Sequence, residues 1–566
     1  MTSQARVGEF LLRNKIISEE QLAAVYTRQK QSQSRFIDEL FRADIVPEQV
    51  LLEKLGEAMQ MPVLRLLHTA IDESISEKVP ARYVTHYNFV PVREDNGCLV
   101  IAISDPFDVF ALDEIKLLLK MPLTFVLSLS TDIADAIKRC YGVGAKTMAQ
   151  MVEASLHMKV LSAAAPETGV EEADDHSVIK FLDQIIQHAV IDRATDIHIE
   201  PYEAALRVRY RIDGLLYDVP VPPSIQHFYS AIMIRVKIMA SLDIAEKRLP
   251  QDGRIQVKID AEDYDLRVSI LPSAFGESVV IRILSRKQVF YALEQLGVDQ
   301  RELHILNTMI KRPHGIILVT GPTGSGKTTT LYSCLQKINS AERKIITIED
   351  PIEYKLFGIT QVQVQAKIHL TFANGLRSML RHDPDIMMVG EIRDLETAEL
   401  AIRTALTGHL VFSTLHTNDA AGSIARLLDM GIEPYLVSSS LSCLIAQRLV
   451  RVICPQCRQP YQPHAEIMRE FKVSALEWNQ QQFRQGRGCE TCKFTGFFGR
   501  TAIFEIMELN DALREMILNR TPSNVIKQRA IAALGMKTLR QSGWEKIVRG
   551  ETTPEEVLRV TQEDIE

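Results

Sequence analysis

Gly321-Pro322-Thr323-Gly324-Ser325-Gly326-Lys327-Thr328-Thr329 spells a P-loop. Its flanks supply the context such a loop needs. The apolar run from Gly315 to Thr320 predicts a buried strand, and Thr328 to Asn339, with Leu331, Leu335 and Ile338 on one face, predicts a helix. A strand that feeds a Gly-rich turn and a helix N-terminus points backbone N–H groups at phosphate oxygens. Lys327 adds a point charge at the β/γ-phosphates, and Thr328 a hydroxyl ligand for Mg²⁺. This stretch predicts an α/β domain that binds a nucleoside triphosphate.

A P-loop alone serves switches, kinases and hydrolases, so its partner residues decide. Ile345-Ile-Thr-Ile-Glu349-Asp350-Pro351-Ile352-Glu353 reads as an apolar strand ending in clustered carboxylates. Ile386-Met-Met-Val-Gly390-Glu391-Ile-Arg393-Asp394 reads as a second, with Gly390 where an ordinary strand-end Asp would stand and Glu391 as the water-orienting base. A third strand runs from Thr407-Gly-His409 to His416-Thr-Asn. Two histidines beside a nucleotide site predict a γ-phosphate sensor; each alone reads as structural.

The 566 residues exceed one core and predict three or four domains. A net charge of -7 argues against bulk nucleic-acid binding, and no stretch approaches the ~18 apolar residues of a membrane-spanning helix. Glu9, Arg13 and Lys15 interrupt what would be a signal-peptide core, so the cytoplasm is the expected compartment.

Residues 1–58 contain a repeat. Arg6-Val7-Gly8, Leu11-Leu12, Ile16-Ile17, Leu22 and Gln29 recur as Arg35-Phe36-Ile37, Leu40-Phe41, Ile45-Val46, Leu51 and Ala58. Each unit predicts two short helices, with Ser18 and Gln21 at capping-box spacing and Pro47 opening a helix. A small α/β unit is expected over 60–140, with strands at Phe89–Val92 and Cys98–Ile103. A flexible acidic linker is expected over 141–176. The domain 177–290 opens on a helix from Val178 to Ile191. Strand alternation then puts Arg207, Arg209 and Arg211 on one face, which reads equally well as a solvated strand face. The nucleotide domain spans 291–566.

Cys454-Pro-Gln-Cys457 and Cys489-Glu-Thr-Cys492 are two CxxC pairs with 31 residues between them. Two thiolate knuckles complete a closed tetrahedral Zn²⁺ site, structural rather than catalytic. A redox pair or four unliganded thiols is the competing reading. Cys98, Cys140, Cys334 and Cys443 are scattered and expected to be buried.

Taken together, GPTGSGKTTT, ITIEDPIEY, DPDIMMVGEIRD and TGHLVFSTLHTND resemble the Walker A, Asp box, atypical Walker B and His box of the secretion ATPases, which drive type II secretion and assemble type IV pili. Thr195-Asp-Ile-His-Ile-Glu-Pro201, Pro250-Gln-Asp-Gly-Arg254 and Asp265-Leu-Arg267-Val-Ser extend the resemblance upstream. It implies a multidomain α/β chain: a RecA-like P-loop core, a preceding α/β (PAS-like) domain, a helical and α+β N-terminal domain, and a tetracysteine zinc module. It also implies a homo-hexamer that hydrolyses ATP at the inner face of the bacterial inner membrane, acting with a platform protein and a membrane adaptor. By position, Lys327 and Thr328 bind phosphate and Mg²⁺, Glu353 and Glu391 prepare the water, His416 attends the γ-phosphate, and Arg267 and Arg282 are the candidate arginines. Their competing reading is a strand-face salt bridge. Arg377 and Arg381 are further candidates.

The tetracysteine module fits the assembly members of that family rather than the retraction members. The implied function is pseudopilus assembly for type II secretion, with type IV pilus extension as the alternative. A DNA-translocating ring ATPase is disfavoured by charge, and a non-hydrolysing receptor by the intact Lys327 and Glu391. The first repeat unit resembles the cyclic-di-GMP-binding motif of some members, through Arg6, Gly8 and Gln29, with Arg35 kept in the second unit. Lys15 replaces a usual Gly, and Ile37 and Ala58 replace the second Gly and Gln. A docking domain for the membrane platform is the other reading of the repeat.

Overall fold

The computed structural model describes residues 11–13, 17–32, 47–66, 69, 71, 75, 78–95, 97–145, 147, 171–203, 205–285 and 291–562. The chain divides into two compact units, Met1–Ser285 and Arg286–Glu566. No helix among the described residues is long and apolar enough to cross a membrane.

In the first unit, helices Glu19–Ser32 and Glu48–Met59 stand at matching places of the repeat. Ser18 Oγ accepts from Gln21 N at 3.2 Å while Gln21 Oε1 accepts from Ser18 N at 2.8 Å, a closed capping box. Pro47 is the N-cap residue of the second helix. Arg6, Gly8 and Arg35 lie outside the described residues, as do residues 33–46, over which the first helix of repeat unit two is expected, and the side chain of Gln29.

Strands β1 (Phe89–Asp95), β2 (Cys98–Ile103) and β3 (Leu123–Leu127) form a sheet in that order, the first pair antiparallel and the second parallel. The strand β3 falls where the sequence suggests only helices, because Thr124 breaks its short apolar run and its pairing with β2 is long-range. Phe89, Leu99, Ile101 and Leu127 fill one core, and Val90, Val92, Val100 and Val126 fill another. Period-two alternation thus covers both faces.

Both ends of the expected linker, 141–176, include structured residues. Val143, just past the helix Ser130–Tyr141, is buried and its N–H donates to Pro220 O at 2.7 Å. The next helix runs Glu171–Ile191, seven residues earlier than Val178, so the acidic run 171–175 is helical.

A six-stranded antiparallel sheet follows: β4 (Ala194–Pro201), β5 (Leu206–Ile212), β6 (Leu215–Val219), β7 (Gln251–Ile259), β8 (Glu262–Ser273) and β9 (Gly276–Ser285), ordered β6-β5-β4-β9-β8-β7. Helices Glu171–Ile191 and Tyr229–Met239 share its core through Phe181, Ile185, Ile232 and Val236, packed with Ile197, Val208, Leu266 and Ile281. On β5, Leu206, Val208, Tyr210 and Ile212 point inward, which turns Arg207, Arg209 and Arg211 outward. Neighbouring strands and the β5–β6 turn hold these arginines. Arg207 Nε donates to Asp218 at 2.6 Å, Arg209 Nε to Glu200 at 2.9 Å, and Arg211 Nη1 to Gly214 O at 2.9 Å. The strand-face reading is the one realised.

The second unit centres on a seven-stranded sheet: β10 (Gly315–Thr320), β11 (Ile345–Glu349), β12 (Thr360–Gln363), β13 (Ile386–Val389), β14 (Leu410–Leu415), β15 (Leu441–Ile453) and β18 (Phe497–Glu508), ordered β12-β11-β13-β14-β10-β15-β18. All neighbours are parallel except β15 and β18. β16 (Arg458–Pro460) and β17 (Arg484–Gly486) form a small separate pair.

Central strands buried on both faces need apolar side chains at every position, and β10 is GIILVT. Ile316 and Leu318 join the core with Ala398 and Ile402 of helix Leu395–Leu406. Ile317 and Val319 join Leu331 and Leu335 of helix Lys327–Ile338. Helices therefore cover both faces, and the loops after β10, β11, β13 and β14 meet at one edge of the sheet, where α/β folds bind ligands.

Candidate nucleotide site and cysteine cluster

The P-loop leaves β10 at Gly321. A Cβ on Gly321 would sit 2.6 Å from Gln447 O and 2.6 Å from Ser325 Oγ, so only Gly lets the loop lie this close to β15. Gly326 caps the helix Lys327–Ile338 with φ 88°, a left-handed geometry that an L side chain resists. Ser325 Oγ is buried without a hydrogen-bond partner among the described residues, as expected of a group that a phosphate oxygen would satisfy. Lys327 Nζ donates to Gly321 O at 2.8 Å and Pro322 O at 3.1 Å, folded over the loop it serves. Burial lowers its ammonium to about 8; Glu391 pulls it up and Arg448 pushes it down. The donor set of the loop fits a triphosphate with Mg²⁺.

Glu391 follows β13 and is mostly buried, its side chain 16% exposed. It pairs with Arg393 on one oxygen and lies 3.5 Å from His416 Nε2 on the other. The atypical Gly390 has a packing reason: a Cβ there would be 3.3 Å from Glu349 Cα and Ile348 O on β11. His416 follows β14 and is half exposed.

His409 sits at the opposite end of β14, bonded through Nδ1 to Thr404 O at 3.0 Å and Thr407 Oγ1 at 3.1 Å. The six-residue strand Leu410–Leu415 separates the two imidazoles by about 20 Å. The expectation of two histidines beside the phosphates is therefore corrected. A separation of seven residues in a strand spans the sheet rather than converging on a point.

Glu349, at the end of β11, is not a free carboxylate. Thr347 Oγ1 donates to it at 2.5 Å and Gln361 Nε2 at 3.1 Å, and Tyr332 from the P-loop helix also donates to it. Burial raises its carboxyl, against which these donors work. Glu353 stands exposed four residues on, past the cis Asp350-Pro351 bond. Arg377 donates to Asn374 Oδ1 at 3.1 Å and pairs with Glu396, and Arg381 Nη1 donates to Arg377 O at 3.0 Å.

In the N-terminal unit, Arg267 of β8 and Arg282 of β9 are direct cross-strand partners, and Arg282 Nε donates to Asp196 Oδ1 at 2.9 Å. The salt bridge weighed against a phosphate role is thus present for Arg282.

A group that sequence reading missed is Arg448 on β15. It is 8% exposed and borders the P-loop, and Gln447 beside it accepts from Thr330 Oγ1 at 2.7 Å. The available signal was a Gln-Arg pair inside the apolar run from Leu441 to Val450.

Cys454, Cys457, Cys489 and Cys492 gather their four Sγ atoms within 4.8 Å of one another. Their separations are 3.7 Å for 454–489, 3.8 Å for 457–492 and 3.7 Å for 489–492. A tetrahedron with 2.3 Å Zn–S bonds has edges of about 3.8 Å. No disulfide joins them. These thiols fit Zn²⁺. Of the other cysteines Cys334 and Cys443 are buried, whereas Cys98 and Cys140 are only partly so.

A P-loop at the edge of a mostly parallel sheet, with carboxylates following β11 and β13, defines a P-loop ATPase. Residues 171–559 match the Type II/IV secretion system protein family and residues 59–147 the MshEN domain. The chain is 42% identical over 566 residues to the type II secretion system protein E of Xanthomonas campestris, covering 99% of both chains. It is 41% identical over 564 residues to the type IV pilus assembly ATPase PilB of Myxococcus xanthus, again covering 99% of both. It is 49% identical over 391 residues to the type II secretion system protein E of Aeromonas hydrophila, covering 69% of this chain and 77% of that one. The chain belongs to the Type II/IV secretion system protein family and is one of its ATPases. Arg6, Gly8 and Arg35 lie outside both matched ranges.

Proposed function

We infer that this protein is a hexameric ATPase that powers pseudopilus assembly for type II secretion, working at the cytoplasmic face of the inner membrane with a platform protein and an adaptor. The observation that carries this reading is the convergence of Lys327, Glu391 and His416 at one sheet edge, within a chain collinear with a type II secretion system protein E. The P-loop amides and Lys327 bind the phosphates, and Thr328 holds Mg²⁺, which offsets phosphate charge when bound. Glu391 orients and deprotonates the attacking water, assisted by Glu353. His416 keeps Glu391 in place and attends the γ-phosphate. Arg267 and Arg282 are the candidate arginines for the γ-phosphate, a role in which a guanidinium is worth ~10³-fold in other NTPases. Zn²⁺ on the four cysteines holds the loops around β16 and β17 and takes no part in chemistry.

Type IV pilus extension is the second reading, favoured by the end-to-end similarity to a pilus assembly ATPase. Deleting the gene and scoring exoprotein secretion against surface piliation separates the two. Secretion lost with pili intact supports the first reading, and the reverse outcome replaces it.

The N-terminal repeat supports a cyclic-di-GMP site that uses Arg6, Gly8 and Arg35, preceding the MshEN match over residues 59–147. Calorimetric titration with cyclic-di-GMP, with Arg6→Ala as control, tests it. Micromolar binding lost in the variant supports the site. No binding leaves the repeat as a docking domain for the platform.

A further inference from the structure

Arg448 lies on β15 two residues beyond the Thr320–Ala446 pairing, level with the start of the P-loop. Its Nη1 donates to Gln447 O at 3.0 Å, the same carbonyl that closes over Gly321. Its Nη2 donates to Asn418 O at 2.9 Å, in the loop that follows β14. Thus one buried guanidinium touches β15 beside the P-loop and the segment carrying His416. It makes no ion pair with a carboxylate among the described residues. Burying a guanidinium without a direct ion pair is costly even with Glu505 and Asp419 favouring its charge, and a purely structural position would favour an apolar side chain.

The loop from His416 to Ala420 has three other anchors, at Thr417, Asp419 and Ala420. Thr417 N donates to Thr320 Oγ1 at 2.8 Å, and Ala420 N donates to Glu505 Oε1 at 2.9 Å. Glu505 and Asp419 share Lys527 Nζ at 3.1 Å each. Thr320 and Glu505 therefore hold the loop near its two ends, Lys527 holds Asp419, and Arg448 holds Asn418 next to the His416 side. His416, immediately before these anchors, is the residue that meets Glu391. The planar fork of Arg can bond two carbonyls in fixed directions, whereas a Lys ammonium on a flexible stem cannot hold both with the same geometry.

We propose that Arg448 is a positioning residue for ATP hydrolysis: by tying the P-loop side of β15 to Asn418, it fixes where His416 stands against Glu391. The proposal rests on the roles given above to Glu391 and His416. Arg448 touches neither the water nor the phosphates in this scheme. Misplacing a group near the reacting atoms by ~1 Å costs up to ~10²-fold.

The test is a double-variant cycle on the full-length protein, reading kcat and KM for ATP and the affinity for a non-hydrolysable ATP analogue. Arg448→Lys is expected to lower kcat at least about tenfold with analogue affinity held within about twofold. In a His416→Ala background the same substitution is expected to have little further effect, because the residue it positions is gone. A merely structural role would lower both backgrounds equally, so effects that multiply in full overturn the proposal, as does an unchanged kcat in Arg448→Lys. If Arg448→Lys does not fold, Arg448→Gln, which keeps an amide donor, is carried through the same cycle. Full turnover in Glu391→Gln or His416→Ala alone would instead overturn the assignment of the site itself.

Discussion

His416 Nε2 stands 3.5 Å from a carboxylate oxygen of Glu391, and the two residues follow neighbouring parallel strands. The register of β13 and β14 explains the meeting. Val389 pairs with Ser413, so each strand delivers its polar residue two or three positions later at the same edge. Arg393 occupies the other side of Glu391 and leaves the carboxylate oriented by two basic side chains.

Replacing Glu391 by Gln keeps the shape and removes the base. Analogue affinity is expected within about twofold of the parent, with kcat down by at least ~10²-fold, the usual scale of general-base catalysis. Steady-state hydrolysis beside analogue binding checks this, and normal turnover in Glu391→Gln removes Glu391 from the role.

Burial lowers Lys327 to about 8, so its charge is complete well below that pH and lost as pH rises through it. A neutral amine no longer attracts phosphate, so affinity for the ATP analogue is expected to fall above about pH 8. Bound triphosphate favours the charged form, so saturated kcat should fall at higher pH than affinity does. Analogue affinity that stays flat up to about pH 10 contradicts the buried ammonium.

Glu302, 6% exposed at the start of the helix Gln300–Met309, gives a stability signature. Burial, with Asp299 adding to it, raises its carboxyl from 4.5 to about 7. The folded state therefore binds the proton more tightly than the unfolded chain. Its contribution is complete below pH 4.5 and is lost as pH rises through about 7, amounting to roughly 3 kcal/mol. Thermal unfolding across this window should show the parent losing Tm relative to Glu302→Gln, and parallel curves would refute the shift.

Cys489→Ser removes one corner of the thiol tetrahedron. Purified protein is expected to lose its zinc, with the C-terminal unit becoming more sensitive to protease near 454–492. Elemental analysis decides the matter, since one zinc per chain retained in Cys489→Ser would rule out the four-thiolate site.

Tyr332→Phe withdraws a buried donor from Glu349 and is expected to cost about 1–3 kcal/mol of stability. Chemical denaturation of the parent and the variant measures it.

Local chemistry made much of this legible. Gly321, Gly326 and Lys327 have spacings that a strand-loop-helix turn imposes, the apolar runs of β10, β11, β13 and β14 have the composition of strands buried on two faces, and the cysteine pairs have knuckle spacing. What stayed hidden depends on distant segments. Sequence spacing brought His409 and His416 together, but a six-residue strand drives them to opposite edges of the sheet. An acidic run resembling a linker belongs to a helix, because its role depends on what the apolar residues after it pack against.

The sequence by itself determined the phosphate-binding loop, the two CxxC pairs and the strand that carries the loop, since each is written in residues only a few positions apart. Only the tertiary structure decided that Arg448, more than a hundred residues beyond Lys327, stands at the P-loop and holds Asn418. It also decided that Arg282 pairs with Asp196 and that Glu349 is a bonded, buried carboxylate. Strand order and register set these contacts, and they come from how all the strands pack together, which no single stretch of chain encodes.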